Sequence, residues 1–146
     1  MRVRLEGYSD ILREKADPIW RQIFIHPFFV EMGKGQLPLD KFCYYVKQDY
    51  PFLIEYARCL GIASAKAEGI DRMRDFASLL NASLTTELEM LMSLGEKLEV
   101  LSDELRSSIL SPTNYAYTRH LLCIAFSGTI GAVSYTHLTL PTILLV

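Results

Sequence analysis

The chain contains 146 residues, of which half are hydrophobic and 22% are charged, and its formal net charge is −2. This composition is typical of one globular domain with a single core, and it argues against intrinsic disorder. The slight negative charge and the lack of a Lys/Arg cluster exclude a phosphate-tracking surface, so we predict no nucleic-acid partner. The three cysteines are odd in number and widely spaced, which favours reduced thiols in a cytoplasmic protein over a disulfide scaffold.

Helical periodicity dominates the N-terminal part of the chain. From about Ser9 to His26, hydrophobic residues recur every three or four positions with charges between them. Within this run, Asp17-Pro18 offers a fresh helix start, because proline fits the first turn of a helix. A short helix or turn and a loop rich in proline and glycine are expected next.

The longest predicted helix spans Leu39 to about Lys66. One face of it carries residues at steps of three and four: Phe42, Tyr45, Asp49, Phe52, Tyr56 and Leu60. Pro51 removes one backbone hydrogen bond, so we expect a local kink.

The second half of the chain continues the helical pattern. An amphipathic run from Gly69 to about Leu98 is expected to break near Gly95. The Ser-Pro-Thr signal from Ser111 then opens an apolar helix whose only stop signal is Gly131. No segment before residue 132 alternates with period two, so the predicted class is all-α.

Two observations argue against targeting and membrane segments. The N-terminal stretch lacks the apolar core of a secretory signal. After Arg119 no charged residue occurs, but the apolar part is shorter than the roughly 20 residues that a bilayer requires. We therefore predict no membrane partner and interpret this part as a buried helix.

The last segment, residues 133–146, differs from the rest. It reads VSYTHLTLPTILLV, which is uncharged and rich in β-branched residues. We interpret it as a foreign tail of the kind that an adaptor or a frame-shifted read-through produces. The alternative is a genuine terminal strand, which would have no sheet to join.

Asp49 is the first candidate functional residue, because a carboxylate among aromatic rings is costly unless it has a partner. One interpretation is that it binds an amine-bearing heterocycle on which the rings stack. The other is that it pairs with an arginine or a tyrosine hydroxyl of a neighbouring helix. Tyr117 is the second candidate, either as a ligand contact or as a core tyrosine with a satisfied hydroxyl.

Other site classes find little support in the sequence. The histidines are scattered, and Glu87 and Glu89, two residues apart, are expected on different helix faces. No glycine-rich phosphate loop is present, and no cysteine is paired with a base. We predict neither a metal nor another cofactor.

Two stretches together resemble the TenA family, which is also called thiaminase II or aminopyrimidine aminohydrolase. They are HPFFVEMGKGQLPLDKFCYYVKQDYPFLIEYARCL and SPTNYAYTRHLLCIAFSGTIG, and the resemblance runs from about Ile19 to Gly131. It implies a haem-oxygenase-like helical bundle, usually a homotetramer, that hydrolyses an aminomethyl-pyrimidine to the hydroxymethyl-pyrimidine. Some members of the family also cleave thiamin.

The resemblance also implies roles for individual residues. Asp49 matches the aspartate that holds the pyrimidine and supports the catalytic cysteine. Tyr117 matches a tyrosine of the pyrimidine pocket. Phe52 stands where some members have a tyrosine, and Tyr56 is expected to line the same cavity.

The chain departs from the family after residue 132. The family's Leu-Pro-Cys-x-Trp segment carries the nucleophilic cysteine, but the stretch THLTLPT at that place has none, and the general-acid glutamate is not matched. We therefore expect residues 1–132 to form a partial TenA-like domain that is incomplete at the C-terminus and inactive. The alternative is a catalytically dead pyrimidine-binding or regulatory module. A PqqC-like oxidase shares the bundle, but the Gln-Asp-Tyr and Ser-Pro-Thr motifs favour TenA.

Overall fold

The computed structural model describes residues 7–129 and 131–132. Its helices in chain order are α1 (Tyr8–Phe24), α2 (Pro27–Gly33), α3 (Leu39–Lys66), α4 (Ile70–Ala82), α5 (Leu88–Lys97), α6 (Ser102–Arg106) and α7 (Pro112–Ser127). A π-helical turn, Ser83–Glu87, joins α4 to α5. No strand occurs within these ranges, which confirms the predicted all-α class.

The long helix α3 is the centre of the bundle, and α4, α5, α6 and α7 all pack against it. Its bounds are those that the periodicity predicted, and Pro51 lies inside it without ending it. The buried apolar side chains of the core come from α3, α5, α6 and α7 and from the loop after α5: Val46, Phe52, Leu53, Cys59, Leu91, Val100, Leu105, Leu121 and Ala125. Each fully buried Leu or Val side chain contributes about 1.5–3 kcal/mol of transfer free energy, so this shared core holds α3 in place.

The predicted helix start at Pro18 is wrong, because α1 runs through this residue. Pro18 is exposed, so water can satisfy the carbonyl that its missing N–H leaves free. On either side of it, Ala16 and Ile23 are buried, so both halves of α1 contribute buried side chains.

The predicted break near Gly95 is also wrong. Helix α5 runs through Gly95 to Lys97, and α6, which the sequence did not predict, packs against this glycine. A Cβ added at Gly95 would lie 2.7 Å from Cδ1 of Leu105. The glycine therefore allows a close helix approach and does not act as a helix stop.

Helix α7 ends earlier than predicted, with Gly128 as its C-cap in place of a stop at Gly131. The Nζ of Lys66 donates to the backbone oxygens of Ala125, Phe126 and Gly128 at 3.0, 2.9 and 2.7 Å. A cation at this position satisfies carbonyls that have no partner inside the helix and interacts favourably with the helix dipole. The end of α7 is thus fixed by a residue distant in sequence.

The predicted foreign tail, residues 133–146, and the domain boundary before it lie outside the described residues. Within the described ranges, no helix is long and apolar enough to cross a membrane.

Candidate functional site

A cavity of about 750 Å³ opens between α3 and the helical run from the π-helical turn into α5. Tyr45, Asp49 and Leu53 line it from α3, and the other wall includes Glu87, Glu89 and Lys97. Small-molecule sites typically measure about 300–1,000 Å³. This cavity has the size to hold a substituted heterocycle.

Asp49, the first candidate from the sequence, lies in the wall of this cavity. Burial raises the pKa of its carboxyl from 3.8 to about 6, and the negative charge of Glu87 adds to the rise. In the part of the chain that the structure describes, no hydrogen bond or ion pair reaches this carboxylate. Burial therefore disfavours its charge, and Lys97, the cation among the described residues that line the cavity, forms no ion pair with it.

Tyr45 lies one turn before Asp49 and lines the same cavity. Its ring stacks on Phe42 with 6.2 Å between centroids and contacts Phe28 at 5.5 Å. Burial, followed by the charge of Asp49, raises the pKa of its hydroxyl to about 12, so the hydroxyl keeps its proton. The sequence placed Tyr45 on this helix face but not among the substrate contacts, although its spacing from Asp49 was the available signal.

The other three candidates form a stack of aromatic rings. Phe52 lies between Tyr56 and Tyr117, with both centroid distances 6.0 Å and interplanar angles of 9° and 12°. All three lie in the described ranges but not among the residues that line the Asp49 cavity. Tyr56 nevertheless lies near Glu87, which lines the cavity. Burial raises the Tyr56 pKa, and the charge of Glu87 adds to the rise.

The stack depends on how α7 is aligned with α3, and a buried amide network fixes this alignment. Nδ2 of Asn114, which is 0% exposed, donates to the backbone oxygen of Gln48 at 2.9 Å. The N–H of Ser111 donates to Oε1 of Gln48 at 2.7 Å, and Nε2 of Gln48 donates to the oxygen of Ile109 at 2.9 Å. Since Gln48 precedes Asp49 and Asn114 lies three residues before Tyr117, this network joins the cavity to the stack.

A second contact between α3 and α7 lies further along the same pair of helices. The carboxylate of Glu55, which is buried, pairs with Arg58 and with Arg119 of α7. The guanidinium of Arg119 also lies over the ring of Tyr115, 5.2 Å from its centroid. This cluster satisfies Glu55 and is a structural link between the helices.

The three cysteines lie outside the Asp49 cavity. Cys43 is half-buried, Cys59 is buried and Cys123 is exposed, and none of these three described residues lines the cavity. Burial, followed by the negative charge of Glu55, raises the Cys59 pKa to about 11. A thiol that keeps its proton at neutral pH is a poor nucleophile. Across the described ranges, no group of three or more potential metal ligands is placed to hold an ion.

Glu87 is the residue that sequence reasoning missed. It ends the π-helical turn, and its Oε2 accepts a hydrogen bond of 2.8 Å from Oγ of the buried Ser83. The sequence placed Glu87 and Glu89 on different helix faces, yet both line the cavity. A π-helical turn changes the direction of the side chains around it, and periodicity alone does not reveal its position.

Residues 13–142 match the family model described as TENA/THI-4/PQQC family. The chain belongs to this family. The match takes in part of the segment after residue 132, and the predicted boundary there stays a prediction.

Curated TenA-family relatives include the aminopyrimidine aminohydrolase of Halalkalibacterium halodurans, which is 35% identical over 85% of this chain and 55% of its own length. The enzyme of the same name from Helicobacter pylori is 32% identical over 86% of this chain and 58% of its own length. The chain therefore spans little more than half the length of these relatives.

Solved TenA-family structures show the same fold. The TenA homologue of P. horikoshii OT3 superposes with a TM-score of 0.81 at 33% identity, over 86% of this chain and 58% of that one. A Silicibacter protein described as a TenA family transcription regulator gives a TM-score of 0.82 at 29% identity, over 88% of this chain and 57% of that one. The fold is thus the TenA-type helical bundle that the resemblance implied.

Proposed function

We propose that this chain supplies the pyrimidine-binding part of an aminopyrimidine aminohydrolase site and acts in thiamin salvage. The reaction of such a site converts an aminomethyl-pyrimidine to the hydroxymethyl-pyrimidine, and some TenA proteins also cleave thiamin. The observation that carries the proposal is the Asp49 carboxylate, which lies in a ligand-sized cavity without a partner among the described residues.

An aminopyrimidine supplies what this carboxylate lacks. The N–H groups of an exocyclic amine and of a protonated ring nitrogen donate to carboxylate oxygens, and such charge-assisted hydrogen bonds are the stronger ones. The ring of Tyr45 offers an adjacent aromatic surface for the heterocycle. In this proposal Phe52, Tyr56 and Tyr117 support the binding end of the site as a stacked aromatic group.

The described cysteines do not offer a nucleophile for hydrolysis. Cys59 has a raised pKa, and neither Cys43 nor Cys123 lines the cavity. We therefore expect residues 1–146 alone to bind the pyrimidine without turning it over. The second candidate function is that of a pyrimidine-binding or regulatory module. The similar Silicibacter protein described as a transcription regulator supports this alternative.

The experiment is calorimetric titration of the chain with an aminomethyl-pyrimidine, together with an assay for released ammonia. Asp49→Asn is expected to weaken binding about 10- to 100-fold, which corresponds to the loss of a hydrogen bond to a charged group. Asp75→Asn is the matched control, because Asp75 is exposed on α4 and does not line the cavity. Equal affinity in Asp49→Asn and wild type would contradict the proposal, and ammonia release above background would contradict the expected lack of turnover.

We also propose a cytoplasmic homotetramer, as the TenA resemblance implies. Apolar side chains that are exposed on the single chain, including Phe24, Ile25 and Phe126 at 63%, 75% and 69% exposure, are available for such association. A monomeric mass by light scattering would contradict the tetramer.

A further inference from the structure

We propose that Glu87 is a specificity-determining residue of the Asp49 cavity, where it selects ligands that carry a protonated amine over neutral ligands of the same shape. This inference rests on the proposed function and deepens it. It assigns to one residue the discrimination between an aminomethyl-pyrimidine and the hydroxymethyl-pyrimidine.

The first support is the position of the two carboxylates. Asp49 faces the cavity from α3 and Glu87 from the other wall. Glu87 is near enough to Asp49 and to Tyr56 for its charge to act on both side chains. A ligand in the cavity therefore meets negative charge from two helices.

The second support is the way Glu87 is held. Oγ of Ser83 donates to one carboxylate oxygen of Glu87 at 2.8 Å, and Ser83 is only 3% exposed. The π-helical turn that carries both residues is supported by Oγ1 of Thr85, which donates to the backbone oxygen of Asn81 at 2.8 Å. Single π-helical turns inside α-helices occur frequently at functional sites. One oxygen of Glu87 is thus anchored, while no described residue pairs with the other, which can accept from a ligand.

The third support is the charge balance of the cavity. The described residues of its lining carry three carboxylates, Asp49, Glu87 and Glu89, and one ammonium group, that of Lys97, so this part of the lining is net negative. An aminomethyl group is protonated at neutral pH and is attracted by this field, whereas a hydroxymethyl group has no charge to attract. The hydroxymethyl compound gains no such attraction. It is therefore bound more weakly than the amine and is released more easily.

The test compares the two pyrimidines by calorimetric titration of wild type, Glu87→Gln and Glu96→Gln. Glutamine keeps the hydrogen bond from Ser83 and removes only the charge. Glu96 is exposed on α5 and does not line the cavity, so its variant controls for net charge. Glu87→Gln is expected to lower the preference for the amine roughly threefold to fivefold, the effect of one partly solvated ion pair, with hydroxymethyl binding unchanged.

Three outcomes would overturn the inference. The preference could be unchanged in Glu87→Gln, or it could fall equally in Glu96→Gln. In either case, a large effect of Asp49→Asn would leave the proposed function intact. If wild type binds neither pyrimidine, the proposed function fails first and the inference fails with it. Ser83→Ala gives an independent measurement if Glu87→Gln folds poorly. This variant removes the hydrogen bond that positions the Glu87 carboxylate but leaves its charge. It should also reduce the preference for the amine.

Discussion

Replacing Asp49 with asparagine should stabilise the folded chain at neutral pH while it weakens pyrimidine binding. Burial and Glu87 raise the Asp49 pKa from 3.8 to about 6, and each pKa unit corresponds to about 1.4 kcal/mol. The shift therefore bounds the cost of the charged carboxylate at about 3 kcal/mol. Because the cavity is open to solvent, we expect Asp49→Asn to be about 1–2 kcal/mol more stable than wild type at pH 7.

The sign of the pH dependence follows from proton binding. Between pH 3.8 and about 6, the folded chain holds the Asp49 proton more tightly than the unfolded chain does. The free energy of unfolding that Asp49 contributes is therefore highest below pH 3.8 and falls as the pH rises through 6. The advantage of Asp49→Asn should be full at pH 7 and should largely disappear near pH 4.

The assay is urea denaturation of wild type, Asp49→Asn and Asp75→Asn at several pH values between 4 and 7. Other titrating groups affect all three proteins alike, so the difference between the curves isolates Asp49. If Asp49→Asn is less stable than wild type at pH 7, the carboxylate makes a stabilising contact and the reasoning is refuted. Equal differences at both ends of the pH range would refute the raised pKa.

Three further predictions concern the stability of the helix contacts. Gly95→Ala should destabilise the chain by about 1–3 kcal/mol, because the new methyl group meets Leu105, which is 0% exposed. Gly61→Ala should stabilise the chain by about 0.5–1 kcal/mol, since its Cβ meets only Leu80 at 3.8 Å. Thermal unfolding of both variants tests this contrast. A shift of the unfolding temperature in the same direction in both variants would contradict it. Asn114→Ala should lower the free energy of unfolding by about 1–3 kcal/mol, because it removes a buried hydrogen bond to Gln48. Urea denaturation measures this loss. A change within about 0.5 kcal/mol would contradict the role of the network.

Much of the fold was readable from local pattern. The bounds of α3 follow from a face of apolar and aromatic residues at steps of three and four, flanked by Pro38 and by Lys66 in the last turn. Two of the errors share a cause, because each depended on a distant contact. Gly95 looks like a helix stop until α6 packs on it, and the end of α7 depends on Lys66.

The candidate site divides in the same way. Asp49 was predictable because an acidic residue on an otherwise aromatic face is conspicuous in the sequence alone. Glu87 was not, because its place in the cavity depends on a π-helical turn and on the packing of two helices. Three of the predicted contacts, Phe52, Tyr56 and Tyr117, do come together, although as a stack that does not line this cavity.

The energetics of Asp49 point to a ligand, because burial and then the charge of Glu87 disfavour its ionised form in the folded chain. A neutral amide at position 49 would keep the packing and avoid this cost, and no contact among the described residues accounts for the carboxylate there. A bound amine reverses this balance, since a ligand that binds only the folded chain adds about 2.7 kcal/mol at 100 times its Kd. That gain is comparable with the upper bound on the cost of the charged Asp49. A bound ligand thus offsets the cost of the buried Asp49 carboxylate, which is the balance expected of a binding residue.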